Sequence, residues 1–323
     1  MDFVTTTPRV PGPGETLTAT SLEVNGGGKG ANSCVACGKA SWASENNQDV
    51  TVEMIGAVGK GDPYYDSLLK PTLENSGVST RGVREIEGTQ TGTATILVEE
   101  NGENRILVVP GANHDAMQDA DILYEIATQN TQPAVLVMQG EIPRATTFDL
   151  LKRFSKSQTQ IIFNPAPVFP EGIPKDIMET VDFLVVNESE CLLLAKSLPD
   201  SSAEEYKEGT MPEDDLQNAS SQFHKQAGIT NIVITLGAKG VFYSSEATSG
   251  TISGVKVDKV VDTTAAGDTF VGYFAVALAR HIGQSKSSVD FDTRAAISRA
   301  NVAAARCVQS SGAMQSIPFN YDV

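Results

Sequence analysis

The sequence predicts a three-layer α/β/α core carrying a small β-sheet lid, and two patterns lead there. From Pro133 onward, the aliphatic runs 135–138, 161–163, 183–186 and 232–235 alternate with helical stretches, and turn residues bound each run. Strands that are apolar throughout belong to a parallel sheet covered by helices on both faces. Ahead of them, residues 93–98 and 105–109 flank the polar run Glu99-Glu100-Asn101-Gly102-Glu103-Asn104, a hairpin pattern. With the N-terminal extended pieces, broken by Pro8, Pro11, Gly12, Pro13 and Gly14, this hairpin is expected to form the lid. The lid would come from roughly residues 3–24 and 81–112, inserted on a single domain of 323 residues.

In order along the chain, Asn25-Gly26-Gly27-Gly28-Lys29-Gly30-Ala31-Asn32 runs straight into a helix over 33–43. A strand over 50–55 follows, then a helix near 65–74 whose internal Pro71 is expected to kink or shorten it. Helices are expected near 146–156, 188–197 and 214–227. Residues 199–213, rich in Ser, Glu, Asp, Lys and Pro, read as an exposed, mobile insertion. A strand-like run at 254–257 leads through 261–270 into an apolar helix, and 291–307 is an Ala-rich packing helix.

The bulk numbers exclude several classes. A net charge of −16 and a pI near 4.6 repel nucleic acid and acidic membrane over most of the surface. No apolar run reaches the ~20 residues that span a bilayer, and no basic-then-apolar leader is visible. Four cysteines in so long a chain make no disulfide framework, which points to a reducing compartment. Cytosol is therefore the expectation, with the nucleus left open. Cys34 and Cys37 lie in an Ala/Val-rich helical run and read as buried thiols rather than zinc ligands, and Trp42 reads as core. His114, His224 and His281 are scattered and receive no role.

The stretch Asp262-Thr263-Thr264-Ala265-Ala266-Gly267-Asp268 carries the chemistry. The first N–H groups of a helix have no intrahelical partner and sit at its positive end. Ala-Ala-Gly keeps side chains away, so an anion can approach the N–H groups of Ala265, Ala266 and Gly267. Asp268 stands where a proton acceptor beside a transferring phosphate is needed, which makes the stretch a phosphoryl-transfer arrangement. Read alone, Asp262 or Asp268 is more often a helix cap. The earlier glycine cluster is no Walker loop, because Lys29 is followed by Gly30 rather than Ser or Thr. It is either a tight turn or a place where backbone approaches a ligand, with Lys29 and Asn32 suited to sugar hydroxyls.

Residues 25–32 and 262–268 resemble the two signatures of the ribokinase-like (phosphofructokinase B) carbohydrate kinases. The likeness is nearly full length. It includes Pro13-Gly14-Glu15-Thr16, Gly111-Ala112-Asn113, Met138-Gln139-Gly140-Glu141, Asn164-Pro165-Ala166-Pro167, Asn187-Glu188-Ser189-Glu190, Thr235-Leu236-Gly237-Ala238-Lys239-Gly240 and Gly312-Ala313. The resemblance implies ATP-dependent phosphorylation of D-ribose at O5. Asp268 would be the base, with the N–H groups of Ala265, Ala266 and Gly267 as the anion hole. Asp2, Gly28, Lys29, Gly30, Asn32 and Glu141 would hold the sugar.

For the nucleotide the resemblance implies Asn187 and Glu190 near the phosphates and magnesium, Thr235, Leu236, Gly237, Ala238, Lys239 and Gly240 along the adenosine side, Gly267 at the phosphates and Asn301 near adenine. It implies a potassium ion held largely by carbonyls at Asp262, Thr264, Cys307, Ser310, Gly312 and Ser316, and a homodimer paired through the lid. Plainer readings stand beside some of these: Glu141 as an ordinary surface acid, Asn187 with Glu190 as a helix capping box. A sister kinase of the same scaffold, or a non-catalytic sugar-binding regulator, is the alternative function. The resemblance also places a hydrophobic strand before Asp2, so the first strand of the central sheet is expected to be missing from residues 1–323.

Overall fold

The computed structural model describes residues 1–198 and 211–323. Strand β1 (Asp2–Thr7) pairs antiparallel with β2 (Ser21–Asn25). Helix α1 (Lys29–Ala40) begins on the glycine cluster itself, four residues earlier than its apolar run suggests. A small hairpin, β3 (Trp42–Ser44) and β4 (Asn47–Gln48), leads to β5 (Val52–Gly59). Pro71 acts as expected: Tyr65–Leu69 is a π turn, and α2 (Lys70–Asn75) restarts with the proline in its first turn, where a missing N–H costs nothing.

Strand β6 (Val78–Ile86) pairs parallel with β5. Residues 81–86 therefore finish a two-stranded sheet and do not belong to the lid. The lid proper adds the hairpin β7 (Thr93–Glu99) and β8 (Asn104–Val109), giving the order β2-β1-β7-β8. Helices α3 (Ala112–Asp115) and α4 (Ala120–Thr128) follow. Asp119 caps α4, its carboxylate accepting from the N–H groups of Asp121 and Ile122.

The second half winds as the alternating pattern requires: β9 (Val135–Met138), α5 (Arg144–Phe154), β10 (Gln160–Phe163), α6 (Lys175–Met178), β11 (Phe183–Asn187), α7 (Glu188–Lys196), α8 (Glu213–Gln222) and β12 (Asn231–Thr235). The four strands are parallel. Residues 199–210 of the expected insertion lie outside the described residues.

Two strands of the large sheet escaped the sequence reading. β13 (Gly240–Ser245) and β14 (Ser249–Ser253) form an antiparallel hairpin on β12, so the six-stranded sheet is mixed. The strand expected at 254–257 is absent. Gly254 is pressed against the Ala238 carbonyl, and Val255, Val260 and Val261 are exposed without a partner strand. The chain enters α9 (Ala266–Ser285) from a loop, and α10 (Thr293–Cys307) packs against α9.

Period-two alternation sorts the strand side chains onto the two helical layers. Ile161, Phe163, Leu184, Val186, Ile232 and Ile234 face a core shared with Phe148, Phe154 and Phe223. Ile162, Phe183, Val185 and Val233 face Phe270 and Phe274 of α9. The β5-β6 pair and the six-stranded sheet are separate. Among the described residues β5 and β9 each keep one edge without a strand partner. Val135, Leu136 and Val137 are only half-buried, whereas Ile161, Ile162 and Phe163 one strand inward are 0% exposed.

Candidate active site

Four parallel strands end at one edge of the sheet, and β9, β10, β11 and β12 deliver Glu141, Asn164, Asn187 and Thr235 there or one turn beyond. In sheets of this kind ligands bind outside the carboxyl ends of the strands. Two helices point their N-termini at the same place without side-chain caps. Gly28 (φ 92°) precedes α1, and Ala265 (φ 61°), a left-handed conformation rare outside glycine, precedes α9. Ala266 N–H makes a long turn contact with the Thr263 carbonyl, 3.3 Å. Those of Ala265 and Gly267 have no acceptor among the described residues. A Cβ built at Gly267 would meet nothing within 4 Å, so the face above those amides is open.

Asp268, in the first turn of α9, is 6% exposed. It accepts a 3.0 Å hydrogen bond from Asn32 Nδ2, across 236 residues of sequence. That contact joins the two glycine clusters into one site and removes the reading of Asp268 as a mere cap, since it makes no capping bond. Burial pushes the Asp268 carboxyl up, against the pull of the Lys29 ammonium and the Asn32 amide. Lys29 exerts the same downward pull on Glu141 and Glu190, both raised by burial, so one cation serves three carboxylates. The other amide atom of the clamp, Asn32 Oδ1, is buried with no partner. An orphaned buried acceptor at such a point is a place for a ligand hydroxyl.

Glu141 is no ordinary surface acid: it is half-buried, and its Oε2 accepts from Lys29 N–H at 2.7 Å. Asp2, at the start of the lid's first strand, lies over Gly27. A Cβ there would sit 1.9 Å from Asp2 Oδ2, and burial raises the Asp2 carboxyl. The lid thus reaches the site through Asp2, while Gly28, Lys29, Gly30 and Asn32 line it from α1.

The family model for pfkB family carbohydrate kinases matches residues 1–320. The chain belongs to that family. It is 34% identical to the ribokinase of Schizosaccharomyces pombe, over 100% of this chain and 93% of that one, and 33% identical to the ribokinase of Bacillus subtilis (100% and 94%). A deoxyribokinase of Salmonella typhi is 30% identical over 98% of this chain and 92% of its own. Among solved structures, the ribokinase of Thermotoga maritima has a TM-score of 0.77 at 32% identity, covering 99% of this chain and 94% of that one. The ribokinase of Arabidopsis thaliana, solved with ribose and ATP, has a TM-score of 0.80 at 28% identity (99% and 93%).

Against that family pattern the remaining expected residues divide. Asn187 and Glu190 form a complete capping box on α7: Glu190 N–H donates to Asn187 Oδ1 at 2.8 Å, and Asn187 N–H to Glu190 Oε2 at 3.0 Å. The capping reading is correct for both, and their position at the strand edge still presents them to the site. Thr235 is the register partner of Asn187 on the next strand. Beyond it Leu236 is buried, Gly237, Ala238 and Lys239 make a 3-10 turn, and Gly240 (φ 110°) sits where a Cβ would strike the Ile252 carbonyl at 2.0 Å. Asn301 lies behind this turn, donating to the Ser253 carbonyl at 3.0 Å.

The six residues expected around a cation converge on the loop before α9 and the loop after α10. Asp262 Oδ2 accepts from Gly312 N–H at 3.0 Å, and Cys307 Sγ lies 3.0 Å from Ser316 Oγ and 3.6 Å from the Thr264 carbonyl. Ser310 N–H donates to the Cys307 carbonyl, which ties both into the same turn. Although burial pulls it up, Asp262 stays below the usual carboxylate range, because the Thr264 hydroxyl, Thr264 N–H and Gly312 N–H all donate to it. No group of three or more His, Cys, Asp or Glu able to hold a metal occurs among the described residues.

Two residues escaped the sequence reading as individuals. Gly27 matters because Asp2 occupies the space of its absent side chain. Glu188 accepts from Lys239 Nζ at 3.3 Å, tying α7 to the turn after β12. Nothing local marks Glu188, since its partner lies 51 residues away. The four cysteines are free and buried, and Trp42 is half-buried with its indole N–H on the Ser76 carbonyl.

Proposed function

We propose that this chain transfers the γ-phosphoryl group of ATP to O5 of D-ribose, giving ADP and D-ribose 5-phosphate. The observation that carries the reading is the buried Asp268 held by Asn32 beside the open N-terminus of α9. Asp268 takes the proton from the attacking hydroxyl, and its upward-shifted carboxyl makes it the stronger base. The free amides of Ala265 and Gly267, with Ala266 at the same helix start, steady the charge on the transferring group. Asp2, Asn32, Glu141 and Lys29 hold the sugar hydroxyls, carboxylates accepting and the ammonium donating. The nucleotide lies along 235–240 and α7, with Asn301 behind the adenine side.

Magnesium, carried in with ATP near Asn187 and Glu190, would neutralise phosphate charge. Potassium suits the loop formed by Asp262, Thr264, Cys307, Ser310, Gly312 and Ser316, where carbonyl and hydroxyl oxygens supply hard ligands. The lid carries a second proposal, a homodimer. Ile106, Leu107, Val108 and Val109 of edge strand β8 are 54%, 70%, 68% and 45% exposed, and an open aliphatic edge of this kind calls for a partner strand.

The test is ADP release with D-ribose, 2-deoxyribose, fructose and adenosine as acceptors, with and without potassium. Release with ribose alone or best supports the reading. Release best with 2-deoxyribose would favour the deoxyribokinase relative's reaction, and release with none of them would leave a binding protein on a kinase fold.

A further inference from the structure

Only two charged side chains are buried among the described residues: Asp268 and Lys39. The first is the base of the proposed reaction, and the second has no role in it. Lys39 stands in the last turn of α1, three turns along the helix that begins with Lys29 and Asn32. It has no carboxylate partner. Its Nζ donates to the carbonyls of Met314, 2.9 Å, and Ile317, 2.8 Å, and lies 5.3 Å from the centre of the Phe319 ring. Taking an ammonium out of water costs stability, and here only two carbonyls and an aromatic face offset that cost.

The segment it grips touches both ends of the site. On the sugar side, Met314 packs against Gly26 and Gln315 Nε2 donates to Asn25 Oδ1, 3.1 Å. On the phosphate side, Gly312 N–H holds Asp262, and Ser316 meets Cys307, whose thiol reaches the Thr264 carbonyl just ahead of the anion-binding turn. Tyr273 of α9 adds a bond to the Pro318 carbonyl. A loop tied to the glycine cluster at one end and to 262–264 at the other sets the distance between them. Two carbonyls fixed from below by one cation leave it little freedom to slide.

We propose that Lys39 is a positioning residue for phosphoryl transfer, clamping the 312–317 loop so that the sugar-binding glycine cluster and the anion-binding start of α9 keep a fixed separation. The proposal rests on the reading of the site as a sugar kinase. Displacing reacting groups by about 1 Å lowers rate by roughly 10²-fold. Loss of the clamp therefore acts on turnover and sugar binding more than on the nucleotide, whose turn at 235–240 shares no hydrogen bond with the loop among the described residues.

The test compares Lys39→Met and Lys39→Gln, which remove the charge, with Lys39→Arg, which restores two donors. Measured are thermal unfolding, kcat, KM for ribose, nucleotide affinity in a binding assay, and amide hydrogen exchange over 25–28 and 312–317. Expected for the neutral variants are a cooperative fold, kcat lower by roughly 10–100-fold, a raised KM for ribose and unchanged nucleotide affinity. Exchange in both segments should rise at least about tenfold, with most of each effect reversed in the arginine variant. Wild-type kcat with wild-type exchange in either neutral variant overturns the clamp. So does an activity loss that follows lost thermal stability and is not reversed by arginine. If neither neutral variant folds, an arginine variant with wild-type exchange in both segments yet kcat at least about tenfold lower overturns it, and one matching wild type in both supports it. Should the wild-type protein phosphorylate no sugar, the kinase reading falls, while the exchange data still decide whether Lys39 couples the two segments.

Discussion

Replacing Asp268 by Asn separates the chemistry of the site from its cost to the fold. The change keeps the shape and leaves an amide oxygen to accept from Asn32 Nδ2, so the 3.0 Å contact can persist while the proton acceptor is lost. A positioned base contributes roughly 10²–10⁴-fold, and turnover should fall by about that factor with ribose and ATP affinities near wild type. Stability should move the other way. Burial raises the Asp268 carboxyl in the folded state, so the folded protein holds that proton more tightly than the unfolded chain. The ionised carboxylate therefore destabilises the fold at neutral pH, and the penalty disappears as pH falls below the unfolded value of about 3.9. Relieving such a strained catalytic group commonly gains about 0.5–2 kcal/mol. At ~2.1 cal/mol/K per residue, a chain of this length has an unfolding entropy near ~0.7 kcal/mol/K, which translates the gain into a Tm rise of about 1–3 °C. The assays are ADP release and calorimetry of both proteins from pH 8 downward, with the Tm gap narrowing as Asp268 becomes protonated in the folded state. Turnover within tenfold of wild type would refute the base. A variant that melts lower than wild type at pH 8 would refute the claim that the carboxylate is held at a cost.

Other substitutions probe the rest of the site. Gly27→Ala puts a methyl where the Asp2 carboxylate lies, 1.9 Å away, and should evict it. Losing a charged hydrogen bond worth ~1.5–3 kcal/mol should raise KM for ribose roughly 10–150-fold with a smaller change in kcat, and equal losses in both would argue that Asp2 acts elsewhere. Gly240→Ala forces a Cβ to 2.0 Å from the Ile252 carbonyl at φ 110°, so stability should drop by at least ~2 kcal/mol in a denaturant titration. Leu107→Lys with Val108→Glu should turn a dimer into a monomer in light scattering while the chain keeps a cooperative fold, since both side chains are about 70% exposed in the single chain. A monomeric wild type would remove the lid interface.

What the residues announced in advance, and what they concealed, follows from the range over which each signal acts. Fully apolar strand runs such as 161–163 are visible because burial on both faces leaves no alternation to confuse, and Ile161 and Ile162 do face opposite cores. Residues 254–257 mimic a strand equally well. They fail because Gly254 is pinned by the Ala238 carbonyl and no neighbouring strand is available, which is a tertiary fact. β13 and β14 were lost for the opposite reason: β13 ends in Ser244-Ser245 and β14 exposes Ser249, Thr251 and Ser253, all of which read as loop.

The same division runs through the site. Asp268 and Asn32 were legible because each sits at a glycine-rich helix start, where backbone chemistry alone points to an anion or a polyol. Lys39 was not. A lysine in the last turn of a helix ordinarily faces water and favours the helix dipole. Only the return of residues 314–317, some 275 positions later, covers it and converts a surface cation into a buried one. Local sequence can thus name the groups that touch a substrate, because their chemistry is specified by a few neighbours. The groups that hold those neighbours at the right separation are specified by the closure of the chain, and only the folded arrangement shows them.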